Sequence, residues 1–275
     1  MRDRTDAAGS VPGNDNQWGL QVTMDGQDKS TDATDRVLVA IPTYNEIENL
    51  PSLVDEIFLH VPQLDVLVVD DNSPDGTGRW CDEKSSQDPR VTCLHRSGRL
   101  GLGTATIEAF QYAQRQGYQW VIILDADFSH HPRYLPDLLR ARGLTQEPSP
   151  DVVIGSRYIA GGCTTGWPWS RRLISWLVNR WTRLCLSLPV RDCSGAYRCY
   201  RVEILDQVDF SQFRSRGFSF QEEVLWRVHR VGARFAEIPI TFANRTRGQS
   251  KINLREMCGS VATLMRLGIT NWFGF

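Results

Sequence analysis

No C-x-x-C pair occurs in the 275 residues, and the seven cysteines are irregularly spaced. That argues against a structural zinc site or a disulfide framework and for reduced thiols. There is no excess of positive charge: the formal net charge is −1, so the chain lacks the broad basic field of a nucleic-acid-binding protein. No uninterrupted apolar run is long enough to span a bilayer, and the first thirty-five residues lack the apolar core of a secretory signal. A cytoplasmic protein that does not cross a membrane is expected, although it can lie against one. A full G-x-G-x-x-G fingerprint and an evident His or Cys dyad are missing too. Residues 1–35 are rich in Asp, Gly, Ser, Thr, Asn and Gln and poor in large apolar side chains, which predicts a disordered leader.

What is present is an alternation of short apolar runs with helical patterns. Runs at 37–41, 66–69, 91–94, 121–124 and 151–155 read as strands, which predicts an α/β fold with a mostly parallel, helix-covered sheet. Pro42 is expected to end the first strand. Asn45 is expected to cap a helix reaching about His60, with Glu48 as its capping-box partner.

Acidic residues follow the strands. Asp125 and Asp127 flank Ala126 where the fourth run ends, and in extended backbone alternate side chains share a face. Both carboxylates can then turn towards one hard cation, Mg²⁺ or Mn²⁺. Solvated acids at a strand exit are the plain alternative. Asp70 and Asp71 end the second run, where open α/β sheets take sugar hydroxyls or the amino group of a base. Asp75 has the look of a turn residue. Tyr44 and Glu46 read either as nucleotide contacts or as loop chemistry. Gly101 and Gly103 suit either a phosphate at a helix N-terminus or a turn. His130 and His131 read as loop and cap residues.

Residues 170–181 predict a helix that mixes Arg171, Arg172 and Arg180 with Trp176, Trp181 and aliphatics, followed by Arg183. Such a helix suits a membrane interface, or a core-facing helix with a solvated basic face. Residues 244–251 form a basic loop with Gly and Ser, suited to closing over phosphates. The end of the chain carries Trp272, Phe273 and Phe275, which suits surface attachment or core packing.

Taken in order, these motifs resemble those of family 2 glycosyltransferases of GT-A fold, and more closely the dolichol-phosphate (polyprenol-phosphate) mannosyltransferases. The matching pieces are I-P-T-Y-N-E at 41–46, V-V-D-D-N-S-P-D-G-T at 68–77, G-L-G-T-A at 101–105 and D-A-D-F-S-H-H-P at 125–132. They continue with G-S-R-Y at 155–158, D-C-S-G-A-Y-R-C-Y at 192–200, G-F-S-F-Q-E-E at 217–223 and N-R-T-R-G-Q-S-K at 244–251. Cys193 stands where the family often has threonine. The resemblance implies a Rossmann-like sheet with helices on both faces and a catalytic domain over 36–268, leaving an aromatic tail at 269–275. It implies a GDP-mannose site, with Pro42, Tyr44, Glu46, Val68 and Asp70 at the nucleoside. Asp125, Ala126 and Asp127 would meet the diphosphate through a divalent metal. Arg157, Arg245 and Lys251 would meet phosphates and sugar, with Asp127 at the reaction centre. Arg157, Arg171, Arg172 and Ser175 are expected to cradle the phosphate of a dolichyl or polyprenyl acceptor. Peripheral attachment to the cytoplasmic face of a membrane is implied, with a separate membrane subunit in some organisms. Another donor such as UDP-glucose, or a non-catalytic nucleotide-sugar binding module, remains as an alternative.

Overall fold

Alternate residues of the first strand bury into two different cores, which is what a sheet covered on both faces requires. The structure is a computed structural model that describes residues 35–143, 149–215, 217, 219–244 and 254–273, with side chains of the last helix from 261 onward. In chain order it forms β1 (Val37–Thr43), α1 (Leu50–His60), β2 (Asp65–Asp70), α2 (Thr77–Gln87), β3 (Val91–His95) and α3 (Leu102–Arg115). There follow β4 (Trp120–Ile123), α4 (Leu135–Arg142), β5 (Val152–Ser156), β6 (Cys163–Thr164) and α5 (Trp169–Leu186). The chain continues through β7 (Arg198–Arg201), α6 (Val202–Leu205), α7 (Phe220–Arg230), β8 (Phe235–Pro239), β9 (Thr241–Phe242) and α8 (Leu254–Phe273).

Leu38 and Ala40 of β1 pack into one core with Phe110 of α3 and Phe220, Val224 and Leu225 of α7. Val37, Val39 and Ile41 pack into the other, with Leu50, Leu53, Val54 and Ile57 of α1 and Leu135 and Leu138 of α4. The sheet order is β3-β2-β1-β4-β7-β5-β8. Every pairing is parallel except the two made by β7, which runs antiparallel between β4 and β5. The α/β, mostly parallel expectation is met. β6 and β9 form a separate parallel pair.

Two local expectations are corrected. Pro42 does not end the first strand: it pairs with Val69, and Thr43 with Asp70. The side of β1 that faces β4 receives its last bond at Ala40 O from Leu124 N, at 3.0 Å. Pro42 faces that same side two residues later, beyond the end of β4, so its missing donor breaks no ladder. Asn45 is not a helix cap. Its φ is 60°, and α1 starts at Leu50 after Glu46 O has accepted from Asn49 N and Leu50 N.

β7 positions the site. Because it is antiparallel, the segment leading into it arrives at the end of the sheet from which β4 and β5 leave. Residues 192–197 are therefore delivered to the carboxyl ends of those strands. α8 runs through Phe273, so residues 269–273 continue a helix.

Candidate active site

The carboxyl ends of β1, β2 and β4 lie side by side because these strands are adjacent and parallel. At the end of β2 the Asp70 carboxylate is fixed from three directions. Its Oδ1 accepts from Thr43 Oγ1 at 3.0 Å and from Ser73 Oγ at 2.6 Å, and its Oδ2 accepts from Ser73 N at 2.9 Å. Asp71 turns away, ion-pairing with Arg96 and accepting from Gly101 N at 3.0 Å. It anchors the turn into α3 rather than facing a ligand. In that turn Gly101 has φ 97°, and a Cβ on Gly103 would stand 2.8 Å from the Phe220 ring. Gly101 thus serves a turn and Gly103 close packing against Phe220.

The loop after β1 is stitched to the loop after β2. Asn45 N donates to Ser73 Oγ, Glu46 N to Thr77 Oγ1 and Ile47 N to Asp75 Oδ2. Burial would raise the Asp75 carboxyl, but donors from Thr77 and Ile47 hold it below the usual range. Glu46 Oε2 accepts from Asn49 Nδ2 at 2.9 Å, and the Arg99 guanidinium lies 4.7 Å from the centre of the Tyr44 ring. The Val68 side chain is fully buried in the core inside β2, so this residue offers only backbone here. Ala126 is buried in the same core and offers only backbone.

Beyond β4 the chain turns tightly. Asp127 is 6% exposed and its Oδ1 accepts from Ser129 N at 2.9 Å; the Asp125 side chain is 25% exposed. Between Asp127 and Ser129, Phe128 adopts φ 59°, a left-handed conformation that costs a bulky side chain about 1–2 kcal/mol. His131 Nδ1 accepts from Arg133 N and caps the following turn, as read. His130 is different: it is buried between the rings of Tyr197 and Phe242, with Nδ1 3.4 Å from Asp125 Oδ2. A support beneath an acid was not visible in an adjacent His-His pair. The Asp125/Asp127 donor set, all carboxylate oxygen at a strand exit, fits a hard divalent cation. Two carboxylates leave most of such a coordination sphere to substrate oxygens and water.

The root of the basic loop lies against this turn. Ala243 N donates to Ser129 O at 3.1 Å and Asn244 N to Thr165 O at 3.2 Å. Arg245 and Lys251 lie outside the described residues. Arg171 Nη1 reaches Asn244 Oδ1 at 3.5 Å and its guanidinium lies 4.0 Å from the centre of the Trp167 ring. Arg172 Nη2 donates to Thr164 O. Ser175 Oγ and Tyr158 OH are 2.6 Å apart.

Arg157 is committed elsewhere. Its Nε and Nη2 fork onto Asp192 at 2.7 Å each, its N donates to Asp192 Oδ2 at 3.0 Å, and Nη2 also reaches Ser194 Oγ. The two side chains are 6% and 0% exposed. Burial alone would raise the Asp192 carboxyl, but the Arg157 guanidinium holds it below the usual range. The guanidinium's charge is thus balanced by a buried carboxylate, and the pair orders the 192–195 loop. Asn179 of α5 clasps that loop from the other side, accepting from Cys193 N and Ser194 N through Oδ1 and donating to Ser194 Oγ through Nδ2.

α5 and α8 pack together, yet both present large apolar side chains outward. Leu173, Ile174, Trp176 and Leu177 of α5 and Met265, Ile269, Trp272 and Phe273 of α8 are exposed. No helix among the described residues is long and apolar enough to cross a membrane.

The profile described as glycosyl transferase family 2 matches residues 38–209. The chain is 43% identical over 237 residues to an undecaprenyl-phosphate mannosyltransferase of Micrococcus luteus, covering 86% of this chain and 93% of that one. It is 42% identical over 258 residues to a polyprenol monophosphomannose synthase of Mycolicibacterium smegmatis, covering 92% and 94%. Its fold resembles that of glucosyl-3-phosphoglycerate synthase from Mycobacterium tuberculosis, solved with Mn²⁺, uridine diphosphate and glucosyl-3-phosphoglycerate. The TM-score is 0.57 at 19% identity, over 87% of this chain and 80% of that one.

Proposed function

This chain belongs to glycosyl transferase family 2 and has the GT-A fold, and from that premise we propose that it transfers mannose from GDP-mannose to a dolichyl or polyprenyl phosphate. The relatives' names supply the sugar and the acceptor class. The observation that carries the reading is the bond from Ala243 N to Ser129 O. It roots a loop rich in cations against the turn that holds two carboxylates, the pairing needed to grip a diphosphate from both sides.

Asp70, Tyr44, Glu46 and Pro42 take the nucleoside. Asp125 and Asp127 face the diphosphate, and Arg245 and Lys251 supply cations to it. Arg171, Arg172 and Ser175, at the start of α5, receive the acceptor phosphate, with Arg157 fixing the loop beside them. A phosphate monoester is largely dianionic near neutral pH, its second pKa being about 6. No side chain is therefore required to take a proton from the nucleophile, in keeping with a site built from carboxylates and arginines. The acceptor oxygen forms its bond to the anomeric carbon as the bond to the diphosphate oxygen breaks, and direct displacement inverts the centre to a β-linked product. A divalent ion, Mg²⁺ or Mn²⁺, on Asp125 and Asp127 would offset the charge of the departing diphosphate. The exposed faces of α5 and α8 attach the protein peripherally to the cytoplasmic face of a membrane, where the acceptor resides.

The test is transfer of labelled sugar from GDP-mannose to a short polyprenyl phosphate, with Mn²⁺ or Mg²⁺ present and then chelated. Asp127→Asn is expected to lower transfer by roughly 10²-fold or more, and chelation to abolish it. Product from UDP-glucose but not GDP-mannose would overturn the donor. Equal rates with and without chelator would overturn the metal. No turnover with any donor would overturn the transferase reading.

A further inference from the structure

A cleft of about 900 Å³ opens between α7, α8 and the 207–214 segment. None of the residues assigned above to donor or acceptor lines it. Four arginines do: Arg214, Arg227, Arg230 and Arg266, against two carboxylates, Asp209 and Glu223. Both carboxylates are already engaged. Glu223 binds Arg227 and the amides of Arg214 and Ser215, and Asp209 takes Ser211 and Gln212. Arg227 is held by Glu223 and by Gln212 O. Among the described residues Arg214, Arg230 and Arg266 form no ion pair. Four arginines against two carboxylates leave the concave site with an excess of positive charge, which calls for an anion.

The helix that forms one wall says which anion. At 100° per residue, Val261, Met265, Ile269 and Trp272 share the outward face of α8, where they are 44%, 54%, 55% and 66% exposed. Thr263, Leu267 and Thr270 line the cleft from the far side of the helix. Arg266 falls between these two faces. One side chain therefore joins an exposed apolar stripe to a cationic cleft, the layout of a molecule with a charged head and an apolar tail. Trp226 also lines the cleft, beneath the Arg230 guanidinium at 5.2 Å, and indole is favoured at the level of lipid headgroups.

We propose that this cleft receives the phosphodiester headgroup of an anionic phospholipid whose acyl chains lie along the outward stripe of α8. The inference rests on the membrane attachment in the proposed function. It adds a second lipid site, distinct from that of the polyprenyl acceptor, which selects membranes by charge and fixes the rotation of α8 on the surface.

Sedimentation of the full chain with vesicles tests it, comparing phosphatidylcholine alone with phosphatidylcholine mixed with phosphatidylglycerol. The protein binds the mixed vesicles more tightly. Arg266→Gln lowers that affinity roughly tenfold or more, the loss of a charge-assisted hydrogen bond, and leaves binding to phosphatidylcholine unchanged. Arg180→Gln, which removes a cation exposed on α5 outside the cleft, costs no more than about fivefold. Equal losses from the two substitutions would mean diffuse attraction and overturn the cleft. Equal affinity of the wild-type protein for both vesicles would also overturn it while leaving membrane attachment standing. Binding to neither vesicle would remove the attachment itself. Thermal stabilisation by inorganic phosphate that Arg266→Gln abolishes, without any preference for phosphatidylglycerol, would assign the cleft to a free phosphate and overturn the lipid.

Discussion

Arg157 and Asp192 show what a buried ion pair demands of its surroundings. Removing one partner strands the other in a site without water, so Asp192→Asn and Arg157→Ala are each expected to cost about 3–5 kcal/mol. The double variant should cost less than the sum, because the stranded charge is gone; urea unfolding of the four proteins checks this. Glu222 supplies a prediction in pH. Burial pushes its carboxyl from the usual 4.5 up to about 7, so the folded protein keeps a proton that the unfolded chain has released. The resulting stability is complete below about 4.5 and is lost as pH rises through 7, a span of about 3 kcal/mol. Glu222→Gln should flatten that slope, as followed by urea midpoints from pH 5 to about 8; an unchanged slope would assign it to another group. The sequence located the acids by their place at strand ends, since strand ends show in apolar periodicity. It could not pair Arg157 with Asp192, which lie 35 residues apart. Nor could it tell that the Val68 side chain turns into the core, because a motif records which residues neighbour a site and not which way each side chain points.

At the scale of elements, the face each helix buries decides its use. The Phe220 ring of α7 sits against α3 because Gly103 has no Cβ, and Gly103→Ala would drive a methyl into that ring. A loss of about 1–3 kcal/mol in thermal or urea unfolding is expected. α5 buries only Asn179, Thr182 and Leu186, so its outward apolar residues stabilise the fold little. Trp176→Ser should leave the melting temperature within about 1 °C while reducing transfer to a vesicle-borne acceptor more than transfer to a short soluble one. The mixture of arginine and tryptophan in α5 was legible because an amphipathic helix has a plain period. The end of α8 was not: residues 269–273 read as a tail because helix continuation there depends on tertiary bonds. Trp272 Nε1 donates to Cys185 O, and Asn271 Nδ2 to Ser187 Oγ, both at the end of α5.

At the scale of the whole molecule, apolar runs disclosed the parallel half of the sheet almost strand for strand, since each is too short and too β-branched for a buried helix. The direction of β7 carried no such signal, because four residues bounded by arginines read alike either way. Yet β7 joins the two halves of the candidate site, with the acids after β4 on one side and the Arg157/Asp192 loop on the other. It also imposes an order of assembly. Until Arg198–Arg201 has been synthesised, β4 has no partner on that edge and no strand in common with β5. The first four strands can pair by local crossovers as they emerge, but the second half must wait, leaving an apolar edge open meanwhile. A ribosome paused before residue 198 therefore holds a half-sheet, and that interval is when the nascent chain is most exposed to wrong pairing and most in need of a chaperone.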